Sequence, residues 1–314
     1  MNNDKAGKWT WPNRPTRDDE FHCMMSSLDQ HLAGQGLQPA QRSLPATLSV
    51  SNALGLGGTA FIGAGIVRGE RFGPTDLLLR VADWYRENYG SRNKIDWSPG
   101  AVAICLRGSL WRLNLPLIFG KAKMFMSRDL SDGETGNAIG RSVPRCNILH
   151  LIDGLTQTYA SRLSDHELDV VWQAFVVGHA ATQCLTELDG DHLFDQARGD
   201  YRLSVDSLLD GRTLSKARWD TAQCAEKIFK GLLRREGHTF PTSGSKGHDI
   251  SHLGELVGKH LGLSLTTSSL LAIHCSPTVR YGDMNVDLNE AYTSHRELLS
   301  MLVAIHSKGL HLAR

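Results

Sequence analysis

From Ile148 onward the apolar residues recur at intervals of three and four, and this period restricts the second half of the chain to helices packed on helices. Ile148, Ile152, Leu155, Tyr159 and Leu163 make one stripe; Leu168, Val171, Trp172, Phe175 and Leu185 make the next. Ser164, followed three residues later by Glu167, is a capping box that starts the second helix. His179 falls on an apolar face, where a hydrogen-bonded core histidine is the expected role.

Ahead of these helices the pattern is mixed. Leu78, Val81, Ala82, Tyr85 and Tyr89 have helical spacing, with Thr75 as the expected cap and Gly90 as the stop. Val102, Ile104 and Leu106 alternate, as do Trp111, Leu113, Leu115 and Leu117, so a β-hairpin is expected, turning at Gly108-Ser109. Ser127 to Arg145 reads as a polar surface loop. Residues 1 to 45 carry Pro12, Pro15 and Pro39 and read as a polar arm, with a short helix near Phe21 to Leu32. The uncharged run from Ser43 to Val67 is long enough to span a bilayer, but its five glycines, Pro45 and Asn52 favour a buried strand and loop instead.

The fold class expected is therefore an α+β N-terminal half with a β-hairpin, followed by a C-terminal all-α bundle. The domains run 1–45 (arm), 46–190 (α+β with a helical C-terminal part) and 191–314 (bundle). Asp189 to Gly199 is the polar break between the last two. Asp189, Asp191, His192 and Asp195 in it lack the ligand spacing of a calcium loop.

Composition sets the function classes. The chain has 34 basic and 33 acidic residues, a net charge of +1, so attraction to nucleic acid requires a local patch. Cysteines 23, 105, 146, 184, 224 and 275 form no C-x-x-C pair, which points to free thiols in a reducing cytoplasm rather than to a metal centre. No signal peptide, membrane span or cofactor motif is expected.

The local patch lies between Arg212 and Gly237, where seven basic residues oppose three acidic ones. On the helix from Leu214 to Arg235, the residues Ala222, Ala225, Phe229, Leu232 and Leu233 form a narrow apolar stripe. Lys216, Gln223, Lys227, Lys230 and Arg234 share the opposite face. Lys227, Lys230 and Arg234 are expected to point away from the core, near Arg280 or the loop 242–249. That loop, rich in glycine and hydroxyls, can present amides to an anion with help from Lys246 and His248, while Asp249 caps the next helix.

The run Ala222-Gln223-Cys224-Ala225-Glu226-Lys227, then Phe240-Pro241, Gly247-His248-Asp249-Ile250, Leu253 and Arg280-Tyr281-Gly282, resembles a HEPN domain over about residues 195 to 310. The resemblance implies an up-and-down helical bundle, often a homodimer, of the kind found in prokaryotic toxin and defence systems. Such domains bind nucleotides or RNA, and some cleave RNA without a metal. On this footing Lys227, Lys230, Arg234, Lys246, His248, Arg280 and Tyr281 are candidate ligand contacts. The cleaving branch's Arg followed after four to six residues by His is absent from 191–314. It occurs as Arg17 with His22 and as Arg145 with His150. The catalytic candidates are therefore His248, Arg280, Arg145 and His150, and the alternatives to a binding module are a ribonuclease or a dimeric scaffold.

Overall fold

The computed structural model describes residues 9–56, 68–93, 99–116, 118, 122–132, 145–242, 244–280 and 285–312; five side chains within them, at 91, 93, 245, 277 and 280, are not described. The chain divides into two units, Met1–Asp96 and Trp97–Arg314.

The first unit is helical. In α1 (Asp18–Gly34) the residues Phe21, Met24, Met25, Leu28 and Leu32 form one buried stripe, and three acidic residues in its first turn face the positive end of the helix dipole. α2 (Pro39–Ala53) starts at a proline whose missing N–H costs nothing at that position, and Gln38 and Gln41 cap it reciprocally. α3 (Pro74–Tyr89) also starts at a proline and stops at Gly90, whose φ is 51°. Its N-cap is Gly73 rather than Thr75. The three helices enclose a core with Trp9, Phe72, Trp84 and Tyr85. Burial alone would raise the Asp76 carboxyl, but Arg80, the Phe72 amide and Arg68 together hold it below its usual range.

The polar arm is thus corrected to two helices: its prolines flank helices or start them, and few but well-spaced apolar residues suffice for the core. The strand expected from Ser43 is helix up to Ala53, and 57–67 lie outside the described residues.

The second unit opens with β1 (Gly100–Leu106) and β2 (Ser109–Leu115), an antiparallel hairpin with Leu106 opposite Ser109. The turn is Arg107-Gly108, one residue earlier than Gly108-Ser109. Both turn residues have positive φ, 52° and 76°, as a turn matching the strand twist requires. Arg107 is held in that conformation by Glu167 at 2.7 Å and by the Tyr159 ring. A two-stranded parallel pair follows, β3 (Lys123–Phe125) with β4 (Arg145–Asn147). The expected helix over 148–163 is a 3-10 turn (Ile148–Leu151) and one turn of α4 (Gln157–Ala160), separated at Gly154, whose φ is 71°.

The remaining helices are α5 (Asp165–Glu187), α6 (His192–Asp210), α7 (Leu214–Arg235), α8 (Gly244–Gly247), α9 (Ile250–Leu261), α10 (Thr267–Ile273), α11 (Pro277–Arg280) and α12 (Leu288–Ser307). The Ser164–Glu167 capping box is present in both directions, and Asp249 caps α9 through the Ser251 and His252 amides. The polar break at 189–199 is mostly helix, because Asp191 caps α6 and starts it at His192. α7 packs on α6, α9, α10, α11 and α12, and α12 packs on α5, so the C-terminal helices form one bundle around α7.

No boundary falls near 190. One hydrophobic core runs from Val102 on the hairpin to Leu310 after α12. α5 lies against β1 with only hydrogen at Gly178, where a Cβ would stand 2.8 Å from Val102. Tyr201 donates from its hydroxyl to the Ala101 carbonyl at 2.9 Å, and the Ala103 amide donates to His295 on α12 at 3.3 Å. The hairpin is therefore a layer of the helical unit. The division lies instead at 96 and 97. Among the described residues no helix is long and apolar enough to cross a membrane, and all six cysteines are free thiols.

Candidate functional site

α7 is the scaffold of the site because its sides are buried against five other helices, and this changes the meaning of its charges. The cations of the expected basic face are paired with carboxylates of the protein itself. Lys216 pairs with Asp220 on its own helix, Lys227 with Asp200 of α6, and Arg234 lies 3.5 Å from Asp191. Lys230 is 8% exposed and bonds Glu226 at 2.7 Å, so it faces inward, contrary to the expectation. Burial pushes the Asp200 carboxyl up, against the pull of Lys227. A helix wheel shows which residues share a face; it cannot show that a neighbouring helix brings an aspartate to that face.

A cavity of about 620 Å³ opens beside α7, lined by Trp219, Ala222, Gln223 and Glu226, by Gly244 and the His248–Ser251 start of α9, and by Leu271 and His274–Ser276. Its polar centre is a relay. Lys230 Nζ donates to Glu226 Oε1 at 2.7 Å, and His248 Nδ1 lies 3.1 Å from both Glu226 oxygens. The Glu226 side chain is 8% exposed and that of His248 57%, so the carboxylate fixes the ring from below and the ring meets solvent. A carboxylate holding one ring nitrogen orients the imidazole and selects the tautomer presented by the other.

The opposite wall is positioned by Arg218. Its two terminal nitrogens donate to the carbonyls of Ala272 and His274 at 2.8 Å each, and it lies 3.5 Å from Glu290. Asp249 is not available to a ligand in the same way, since its carboxylate accepts the Ser251 and His252 amides. The Cys275 thiol is pushed up by burial and is a poor nucleophile. A pocket of this size, with an indole, a neutral amide, an oriented imidazole and one buried carboxylate, suits a flat heteroaromatic ligand bearing hydrogen-bonding groups.

The sequence-derived candidates thus separate. Lys230 and His248 meet at Glu226, and Lys246 is exposed on α8 just before the cavity. Lys227 and Arg234 are engaged with α6 and its cap and do not line the cavity. Arg280 ends α11, shortly after the Cys275 and Ser276 wall; its side chain and Tyr281 lie outside the described residues. Arg145 stacks on Phe125 at 4.7 Å and lies 3.8 Å from Asp132, while His150 bonds the Leu130 carbonyl, so this pair also lies elsewhere. Trp219, Gln223, Glu226 and Arg218 were not singled out as site residues by sequence reasoning. The signals for Gln223 and Glu226 were their place in the run resembling a HEPN helix, the position of Gln223 on the basic face and the i,i+4 spacing of Glu226 and Lys230.

The chain matches no family model, no curated protein sequence and no solved structure.

Proposed function

We propose that the protein is a nucleotide-binding module of HEPN type, and that the nucleotide, free or at an RNA end, occupies the cavity beside α7. The observation that carries this reading is the cavity lining: Trp219, Gln223 and the Glu226-held His248 around about 620 Å³. Base stacking on an aromatic side chain contributes about 1–3 kcal/mol, and an amide can read a base edge. His248 in its protonated form and Lys246 supply cations for phosphate. A long RNA track along α7 is not supported, because its cations are paired with Asp200, Glu226 and Asp191. The resemblance also implies a homodimer, which sedimentation velocity measures directly.

Calorimetric titration with adenine and guanine nucleotides tests the reading. W219A and Q223A should each weaken binding by about 10-fold, as expected for the loss of one stack or one amide contact. Absence of binding to any nucleotide, or unchanged affinity in both variants, would overturn it.

The Glu226–His248 contact favours a second reading, a ribonuclease in which His248 takes the proton from a ribose 2′-hydroxyl and Arg280 steadies the phosphate. Incubation with total RNA, with and without EDTA, distinguishes the two. Cleavage that survives EDTA and is lost in H248A supports the ribonuclease; binding without cleavage supports the module.

A further inference from the structure

On another part of the bundle, Glu187, His306 and His311 bring one carboxylate oxygen and one nitrogen from each imidazole within 4.8 Å of one another. Local structure explains why. α12 ends in a turn where the Gly309 amide donates to the His306 carbonyl and the Leu310 amide to that of Ile305. Gly309 has φ 68°, which a glycine adopts without strain, and Leu310 is anchored in the core. This reversal lays the His311 ring over His306 at 4.3 Å and 15°. Glu187 is the last residue of α5.

Further observations point to a cation. Glu187 Oε2 is approached by both rings, by His311 Nε2 at 3.2 Å and by His306 Nε2 at 3.9 Å. Both rings thus converge on one carboxylate oxygen, and two protonated rings stacked this closely would repel. His311 is 6% exposed, so its ring is held toward Glu187 rather than free to turn to solvent. The other Glu187 oxygen accepts from Gln183 at 2.8 Å, the outer contact that orients a metal-binding carboxylate. The C-termini of α5 and α12 also meet here, and both carry partial negative charge.

We propose that Glu187, His306 and His311 bind a divalent transition-metal ion, best represented by Zn²⁺, with a fourth position open to water. With metal–ligand bonds of about 2.0–2.1 Å, tetrahedral ligands stand about 3.3 Å apart. The Glu187–His311 distance is already of that size, and the half-exposed His306 has only to tilt. Neutral imidazoles and a carboxylate suit zinc over calcium or magnesium, which favour all-oxygen shells. Binding releases whatever protons the two rings carry to solvent. The ligands come from two helix ends distant in sequence, so no local motif announces them.

Untagged full-length protein, stripped with chelator, is titrated with ZnCl₂ by calorimetry and with CoCl₂ by visible absorption. One equivalent should bind, with intense tetrahedral Co²⁺ bands and a raised Tm. H306A and E187Q should each weaken Zn²⁺ binding at least 10-fold, and Q183A by about 10-fold. H260A, which alters the separate His238–His260 stack, should leave affinity unchanged. Circular dichroism of metal-free H306A confirms the fold, since this residue is only partly buried. No stoichiometric binding in wild type, affinity retained in both H306A and E187Q, or a loss confined to H260A would each overturn the proposal.

Discussion

His248 Nδ1 stands 3.1 Å from each oxygen of Glu226, on a carboxylate that also takes the ammonium of Lys230 at 2.7 Å. The three groups cross from the interior of α7 to the cavity mouth. Lys230→Met leaves Glu226 buried with His248 alone, and breaking such a pair should cost about 3–5 kcal/mol. The double variant E226Q/K230M should recover a large part of that loss, because no uncompensated charge remains. Urea denaturation of the two single variants and the double measures the coupling; additive losses would show that the pair is not linked.

Gly231 gives the opposite of the usual helix rule. In an exposed helix, Gly→Ala stabilises by about 1 kcal/mol. Here a Cβ would stand 2.5 Å from the ring of Phe194, which is fully buried. G231A should therefore lower stability by about 1–3 kcal/mol, the range for overpacked cores. An unchanged or raised Tm would mean that α6 yields at this point.

His295 links stability to pH. Burial pushes its imidazole down to about 4, and its Nε2 accepts the Ala103 amide, which requires the neutral ring. The unfolded chain takes up this proton near pH 6.5, so between about 6.5 and 4 it binds more protons than the folded state. Stability should then be highest above pH 6.5 and fall on acidification, by at most about 3 kcal/mol from this group. Thermal melts of wild type and H295Q from pH 7.5 to 4.5 isolate the effect, because glutamine retains an acceptor and does not titrate. Parallel pH profiles for the two proteins would assign the loss to other groups.

Arg107 sets backbone cost against side-chain anchoring. A non-glycine residue at φ 52° costs about 1–2 kcal/mol, which asparagine partly relieves, whereas a solvent-screened ion pair contributes little. R107N should leave stability unchanged or raise it by up to about 1 kcal/mol. A Tm several degrees lower would show that the Glu167 contact dominates the turn.

Helix period and caps made α5, α7, α9 and the hairpin legible, since Ser164, Glu167 and Asp249 act through neighbours in sequence. In the first unit α3 and part of α1 were legible from their spacing, but α2 was not, because Pro39 starts it and proline reads equally well as a break. The hairpin turn slipped by one residue because Arg107 rarely takes positive φ. At the site, His248 was visible from its loop and Lys230 from its stripe. The Glu226–Lys230 pair follows from helical i,i+4 spacing, whereas the approach of His248 to Glu226 and the Arg218 clamp on the far wall depend on tertiary contacts that no local pattern encodes.

The amide of Ala103 bonds a histidine 192 residues further along the chain. On a ribosome adding about 5–20 residues per second, the hairpin emerges roughly 10–40 s before the helix that completes its surroundings. During that interval Val102, Ile104 and Leu113, all fully buried in the finished protein, lack part of their cover. The nascent chain therefore exposes apolar strand surface early, and its yield in cells should depend on chaperones that shield strands until synthesis ends.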